Sequence, residues 1–305
     1  MEDKRTIQVQ VNGRLGNQMF QYAFAKYLQH EFYPDAAIKM CFSQVEESGD
    51  ARNGWENSLK YFHIDDIEVI QKVSLPIWQI AVCSVYYAAK KLIGKKAEDK
   101  FQDFLNANGV YTLRKSHYVP VKRSERQSIY VRGRFEAHEY FDSFREELLE
   151  KFTPKEPPSP SNAKLLEHIA SSESVCVSIR RGDFMDKGNE NFNVCGPEYF
   201  TNAIERMKQL KPDAKFIVFS DDVDDVKEHF AFPEDTIFES GDDPVYEKLR
   251  LMYSCKHFII SNSTFSWWAQ YLSRHPGKIV IAPKEWRVGA GDKCRGMYTE
   301  NMIRI

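Results

Sequence analysis

Apolar and polar residues alternate over residues 6–11, a period of two that predicts a half-buried strand. A glycine-punctuated turn, 12–18, follows. From Met19 the period lengthens. Met19, Tyr22, Ala23, Lys26, Tyr27 and His30 fall at helical spacing, and Pro34-Asp35 ends that helix. Strand, glycine turn and helix in this order leave backbone N–H groups and a helix N-terminus together, ready for an anion or a sugar. Gly13 and Gly16 lack a third glycine, so this is not the G-x-G-x-x-G dinucleotide fingerprint. Further strands are predicted at 36–42 and 128–131, and an amphipathic helix at 144–152. Residues 43–72 read as polar and irregular.

Residues 153–161 carry four prolines, which cannot sit in a central strand or a helix interior. They predict an interdomain linker between an N-terminal domain, 1–152, and a C-terminal domain, 162–305. After the linker the pattern becomes regular. Strands are predicted at 175–180, 215–220, 236–238, 257–260 and 278–283. Helices are predicted at 162–171, 196–210, 223–230, 244–254 and 266–273. Such alternation implies an α/β fold with parallel sheets covered by helices on both faces.

The 305 residues suit two domains, and a net charge of −2 with 28% charged residues excludes a nucleic-acid binder by charge. The six cysteines form no C-x-x-C pair and read as reduced, small hydrophobes, which predicts a cytoplasmic protein without a leader. Residues 73–89 hold no charged side chain and are followed by Lys90, Lys91, Lys95 and Lys96. The run is short and impure for a membrane span. It predicts a helix packed on its domain. The alternative is peripheral contact through 73–96 with the inner face of an anionic membrane.

Four C-terminal strand ends carry polar clusters: Arg180-Arg181-Gly182-Asp183, Ser220-Asp221-Asp222, Ser261-Asn262-Ser263-Thr264 and Pro283-Lys284. In a doubly wound sheet these ends lie along one edge. Two adjacent guanidiniums match phosphate oxygens, and Ser263 and Thr264 before a helix add hydroxyls and open N–H groups. Together they suit a diphosphate. Asp222-Val223-Asp224 has the form of a metal-binding D-x-D, but it opens a helix, where acidic residues are favoured anyway. Trp267-Trp268 reads as core packing.

Four motifs run in order along the chain: Gly13-Arg14-Leu15-Gly16-Asn17-Gln18-Met19-Phe20-Gln21-Tyr22, Ile179-Arg180-Arg181-Gly182-Asp183, Phe219-Ser220-Asp221-Asp222 and Asn262-Ser263-Thr264-Phe265-Ser266-Trp267-Trp268. In this set the chain resembles the bacterial α-1,2-fucosyltransferases, glycosyltransferase family 11. Gly133-Arg134-Phe135-Glu136 resembles that family's glycine-aromatic-glutamine segment, with Glu136 in the glutamine's place. The resemblance implies a GT-B fold, two Rossmann-like domains facing across a cleft. It implies inverting, metal-free transfer of L-fucose from GDP-β-L-fucose to a galactose hydroxyl of an oligosaccharide or lipid-linked glycan, without a cofactor.

By the same resemblance Arg180 and Arg181 clamp the diphosphate, Ser263, Thr264 and Phe265 complete that pocket, and Arg14, Gly16 and Asn17 close on the donor. Glu247 is the implied guanine partner. Phe135 and Glu136 are placed on the acceptor side, and Asp183 and Glu136 are the candidate bases. Ser178 stands where the family's His-x-Arg-Arg-x-Asp has histidine. Two other readings stay open at this level: a related GDP-sugar transferase with another linkage or acceptor, and a non-catalytic glycan-binding module on the same fold.

Overall fold

Short runs of β-branched and aromatic residues, each closed by a polar turn, give a strand–helix succession in both halves of the chain. The computed structural model describes residues 4–47, 54–94, 96–182 and 190–305. It divides into two units, Met1–Phe152 and Thr153–Ile305.

The N-terminal unit runs β1 (Thr6–Gln10), α1 (Leu15–Phe32), β2 (Ala37–Cys41), a single turn α2 (Ser43–Glu46), β3 (Ile67–Ile70), α3 (Ile77–Ile93), α4 (Lys96–Ala107), β4 (Val110–Tyr111), β5 (Ser128–Val131) and α5 (Arg145–Lys151). Its sheet has the order β3-β2-β1-β5-β4 with every described pair parallel. The chain steps outward from β1 to β3, then returns to the other side of β1. The order therefore reverses between β1 and β5, where an open α/β sheet leaves a crevice at its carboxyl edge.

Three details differ from the sequence reading. The first helix starts at Leu15, not Met19. Arg14 takes an extended backbone, and its carbonyl accepts from the N–H groups of Asn17 and Gln18 at 2.9 and 3.1 Å. Gly16 and Asn17 therefore lie in the first turn. The stretch read as irregular hides β3, a half-exposed strand at the sheet edge whose alternation is weak. Residues 97–111 add α4 and β4.

Helix α3 packs on its unit through Tyr86, which joins Ala97, Leu105, Val110 and Tyr130 in a small core. Its outer face leaves Ile77, Ile80, Val85 and Leu92 exposed. No helix among the described residues is long and apolar enough to cross a membrane.

The C-terminal unit runs α6 (Pro160–Ser171), β6 (Glu173–Ile179), α7 (Pro197–Leu210), β7 (Ala214–Ser220), α8 (Val223–His229), β8 (Ile237–Phe238), α9 (Val245–Ser254), β9 (His257–Ile260), α10 (Thr264–Leu272), β10 (Val280–Ala282) and β11 (Met302–Arg304). Its parallel sheet has the order β11-β10-β9-β6-β7-β8. Here the order reverses between β6 and β9. The proline-rich segment is shorter than it reads: Ser159 caps α6 and Pro160 occupies its first turn, where a missing N–H costs nothing. β11, parallel to β10, extends the sheet beyond the strand at 278–283 that the pattern makes the last.

Candidate active site

Residues Ile179 and Arg180 mark the point where β6 leaves the core. Val175, Val177 and Ile179 face one apolar cluster, so Ser178 faces the opposite side, where its hydroxyl meets that of Ser266 at 2.6 Å. Ser261 lies 3.1 Å from the same Ser266 hydroxyl. This buried chain ties β6, the end of β9 and α10 together. The position at which the family resemblance places a histidine thus holds a hydroxyl already committed to α10.

Both arginines are held by carboxylates that follow β7, Asp221 in the turn and Asp225 in α8. Arg180 Nη1 lies 2.7 Å from Asp221 Oδ2. The other oxygen of Asp221 accepts the backbone N–H of Arg181 at 2.8 Å. Arg181 donates from Nε and Nη2 to the two oxygens of Asp225, at 2.5 and 3.3 Å, and covers the ring of Phe230 at 5.4 Å. The Arg181 guanidinium holds the Asp225 carboxyl below its ordinary value. Gly182 makes room for this: a Cβ there would lie 2.3 Å from Asp221 Oδ2. Asp222 caps α8, accepting from the Asp225 N–H at 3.0 Å. The acidic run is therefore occupied by one helix cap and two arginine anchors.

On the other side of β6, Ser263 caps α10 and its hydroxyl accepts from the Phe265 N–H at 3.2 Å. The helix begins at Thr264, two residues earlier than its periodicity predicts. Ser263, Thr264 and Phe265 are half-buried. Trp267 and Trp268 are fully buried, as core packing requires. The β6–β9 pairing, Ser178 opposite Ile260, brings the arginines and this cap to neighbouring strand ends. Asn262, which the sequence singles out only as part of a motif, donates to the carbonyls of Phe192 and Trp286 at 2.9 and 3.0 Å and pins both flanking loops to β9.

Other predicted residues fall elsewhere. Asp183 lies outside the described residues. Glu247 sits in the first turn of α9 with its carboxylate 2.9 Å from Arg250 Nη1 and almost without exposure. Burial raises its carboxyl above the ordinary range, against the pull of Arg250. It is turned toward Arg250 inside the unit.

In the N-terminal unit, Gln21 brackets the backbone of Asn12, accepting its N–H at 3.0 Å and donating to its carbonyl at 2.8 Å. Gln18 donates to the carbonyls of Gly13 and Glu56 and accepts from the Ser58 N–H. These two glutamines, buried completely, hold the turn that presents Arg14, Gly16 and Asn17. Arg14 lies over the ring of Trp55 at 5.9 Å. Phe135 and Glu136, expected to face an acceptor, are buried. Phe135 has a positive φ of 55°, which turns its ring inward to stack on Phe24 at 3.8 Å. Glu136 accepts from the Ser116 hydroxyl. Both side chains therefore lie inside the unit rather than on an open face.

Residues 69–297 match the profile of glycosyl transferase family 11. Two Escherichia coli proteins are similar over nearly their whole length. The chain is 28% identical to an alpha-1,2-colitosyltransferase, over 96% of each chain. It is 25% identical to the O-antigen biosynthesis glycosyltransferase WbnK, over 92% of this chain and 94% of that one. Among solved structures, the NodZ alpha-1,6-fucosyltransferase co-crystallised with GDP shares the fold, with a TM-score of 0.51 at 15% identity over 92% of this chain and 95% of that one. Two Rossmann-like units, each built on a parallel sheet, are the GT-B architecture that the resemblance implies.

Proposed function

The chain belongs to glycosyl transferase family 11, and on that premise we propose that it moves L-fucose from GDP-β-L-fucose to the 2-hydroxyl of a galactose in an oligosaccharide, with inversion and without a metal. One observation carries the donor half of this reading. Arg180, Arg181 and the capped start of α10 meet where the strand order of the C-terminal sheet reverses. Guanidinium forks beside a helix N-terminus favour a diphosphate.

In the reaction, the bond between the fucose anomeric carbon and the β-phosphate oxygen breaks while the acceptor oxygen attacks from the opposite face. GDP leaves carrying the electron pair. Arg180 stabilises the negative charge that grows on the β-phosphate, Arg181 orients the diphosphate, and Ser263, Thr264 and Phe265 complete its pocket. Such fixed cations do what a metal does elsewhere. Arg14, Gly16 and Asn17 are assigned to the donor from the N-terminal unit. Asp183, three residues after Arg180 in the sequence, is assigned the acceptor proton.

A second reading, transfer of colitose, is favoured by the relative named for that activity. The test is release of GDP from GDP-fucose and from GDP-colitose, with and without lactose, in excess EDTA. The proposal expects lactose-dependent release from GDP-fucose and a 1,2-linked product by NMR. Preference for GDP-colitose selects the second reading. No acceptor-dependent release from either donor refutes both and leaves a glycan-binding protein.

A further inference from the structure

The N-terminal unit holds a cationic cavity that no residue of the donor site lines. It opens at the carboxyl edge of the sheet and is lined by Asn12, Tyr87, Lys90, Thr112, Arg114, Arg132, Gly133 and Arg134, with a volume of about 110 Å³. At roughly 30 Å³ per water, that is the room of about four waters. Its walls come from neighbouring strand ends. β1, β5 and β4 lie side by side, and the cavity takes Asn12 from the end of β1, Arg132-Gly133-Arg134 from β5, and Thr112 and Arg114 from β4. Helix α3 closes it with Tyr87 and Lys90.

Most of its charge has no carboxylate partner among the described residues. Lys90 has a partner in Glu98 at 3.0 Å. Among the described residues, Arg114, Arg132 and Arg134 have no ion pair with a carboxylate. Arg132 donates to the Tyr87 hydroxyl at 3.3 Å, a neutral partner. Three guanidiniums round one small cavity repel each other, and an anion between them relieves that repulsion.

The backbone is shaped to hold them there. A Cβ on Gly133 would lie 2.1 Å from the Leu113 carbonyl oxygen, so a glycine is what lets the β5 and β4 ends close together. The Arg134 N–H then donates to that carbonyl at 2.8 Å. The next residue, Phe135, carries the strained positive φ, held by its stack on Phe24. Strain kept beside converging cations is the mark of a binding loop rather than of a connection.

We propose that this cavity binds a phosphate or diphosphate group on the acceptor side of the reaction. Its assignment to the acceptor rests on the transferase reading, but its binding of the anion does not. The helix that lends Tyr87 and Lys90 also exposes Ile80, seven residues before Tyr87 and so on the same side of α3, with Ile77 and Leu92 further round. That places an apolar ridge beside the anion site, where a phosphate carried on an apolar chain would lay its chain.

The test is calorimetric and needs no turnover. Inorganic pyrophosphate is titrated into the full chain, into Arg180→Ala, and, on the Arg180→Ala background so that the donor site does not answer, into Arg132→Gln/Arg134→Gln. Binding is expected to survive in Arg180→Ala and to weaken tenfold or more in the double variant, since each lost charged hydrogen bond costs about a factor of ten. Arg114→Gln, at an exposed position, should weaken it in the same direction and decides the matter if the double variant fails to fold. Equal binding by Arg180→Ala and the folded variants built on it, or loss of all binding in Arg180→Ala, overturns the proposal.

Farnesyl diphosphate then separates the sources. Tighter binding than pyrophosphate, with the gain lost in Ile80→Asp, identifies a lipid-carried phosphate, and equal binding identifies a free one. If the anion binds and no sugar is transferred, the cavity stands and the transferase reading falls.

Discussion

Replacing Arg180 by alanine removes one cation from the donor edge of β6 while leaving the fold its other supports. Asp221 loses the guanidinium at 2.7 Å but keeps the Arg181 backbone N–H at 2.8 Å. The Arg180 and Asp221 side chains are 18% and 25% exposed, so solvent screens their attraction. An ion pair so placed contributes about 0.5–1 kcal/mol. For a unit of this size, that moves Tm by no more than about 4 °C.

The catalytic loss is on another scale. A preorganised donor aimed at developing charge is worth about 2.7–4 kcal/mol, a factor of 10²–10³ in kcat. The assay is the initial rate of GDP release from GDP-fucose with lactose, beside a thermal melt of the same preparation. Arg180→Lys keeps the charge and loses the fork, and should recover part of the rate. A kcat within about threefold of wild type in Arg180→Ala refutes the leaving-group role. A raised KM with unchanged kcat also refutes it, because the arginine then binds substrate and transition state alike.

Gln21→Ala should leave the half-buried Asn12 N–H and carbonyl without their partners at 3.0 and 2.8 Å. The expected cost is about 1–3 kcal/mol, read as a fall in Tm of several degrees, and an unchanged Tm contradicts it. Acid should destabilise the C-terminal unit. Glu173 is pulled down to about 2 by Lys211 and then by His257. An unfolded glutamate titrates near 4.3. The unfolded chain takes up that proton first, so stability is present above about pH 4.5 and is lost as the pH falls toward 2. His257 is also depressed, chiefly by burial. Its contribution is lost as the pH falls through about 6.5, in the same direction. Tm measured from pH 7 to pH 3 should fall throughout, with Glu173→Gln flattening the acid end. A flat or rising profile refutes the assignment.

The strand–helix succession was legible because period and turn chemistry report burial directly, as at residues 6–11 and 215–220. The polar strand ends were legible for the same reason, since an apolar run that stops in Arg180-Arg181 has nowhere to put those charges but an edge. What sits against what was less so. The inward turn of Phe135 depends on a positive φ at a residue other than glycine, which no sequence pattern announces. β3 escaped because an edge strand buries too little to alternate cleanly. The Glu247–Arg250 pair has a readable signal, since the two stand at i and i+3 on one helix, a spacing that pairs opposite charges.

The acidic run after β7 shows why sequence and site differ in kind. As letters, Asp221–Asp225 resembles a metal motif. In the fold, Asp222 is a helix cap, while Asp221 and Asp225 each fix one arginine. Two adjacent cations at an edge would otherwise repel each other and sample many rotamers. Anchoring each to its own carboxylate lowers that repulsion and sets the guanidinium planes before any ligand arrives, which is the preorganisation a leaving-group clamp requires. The carboxylates therefore belong to the same proposed device as the arginines: they position the charge that a metal would otherwise have to bring.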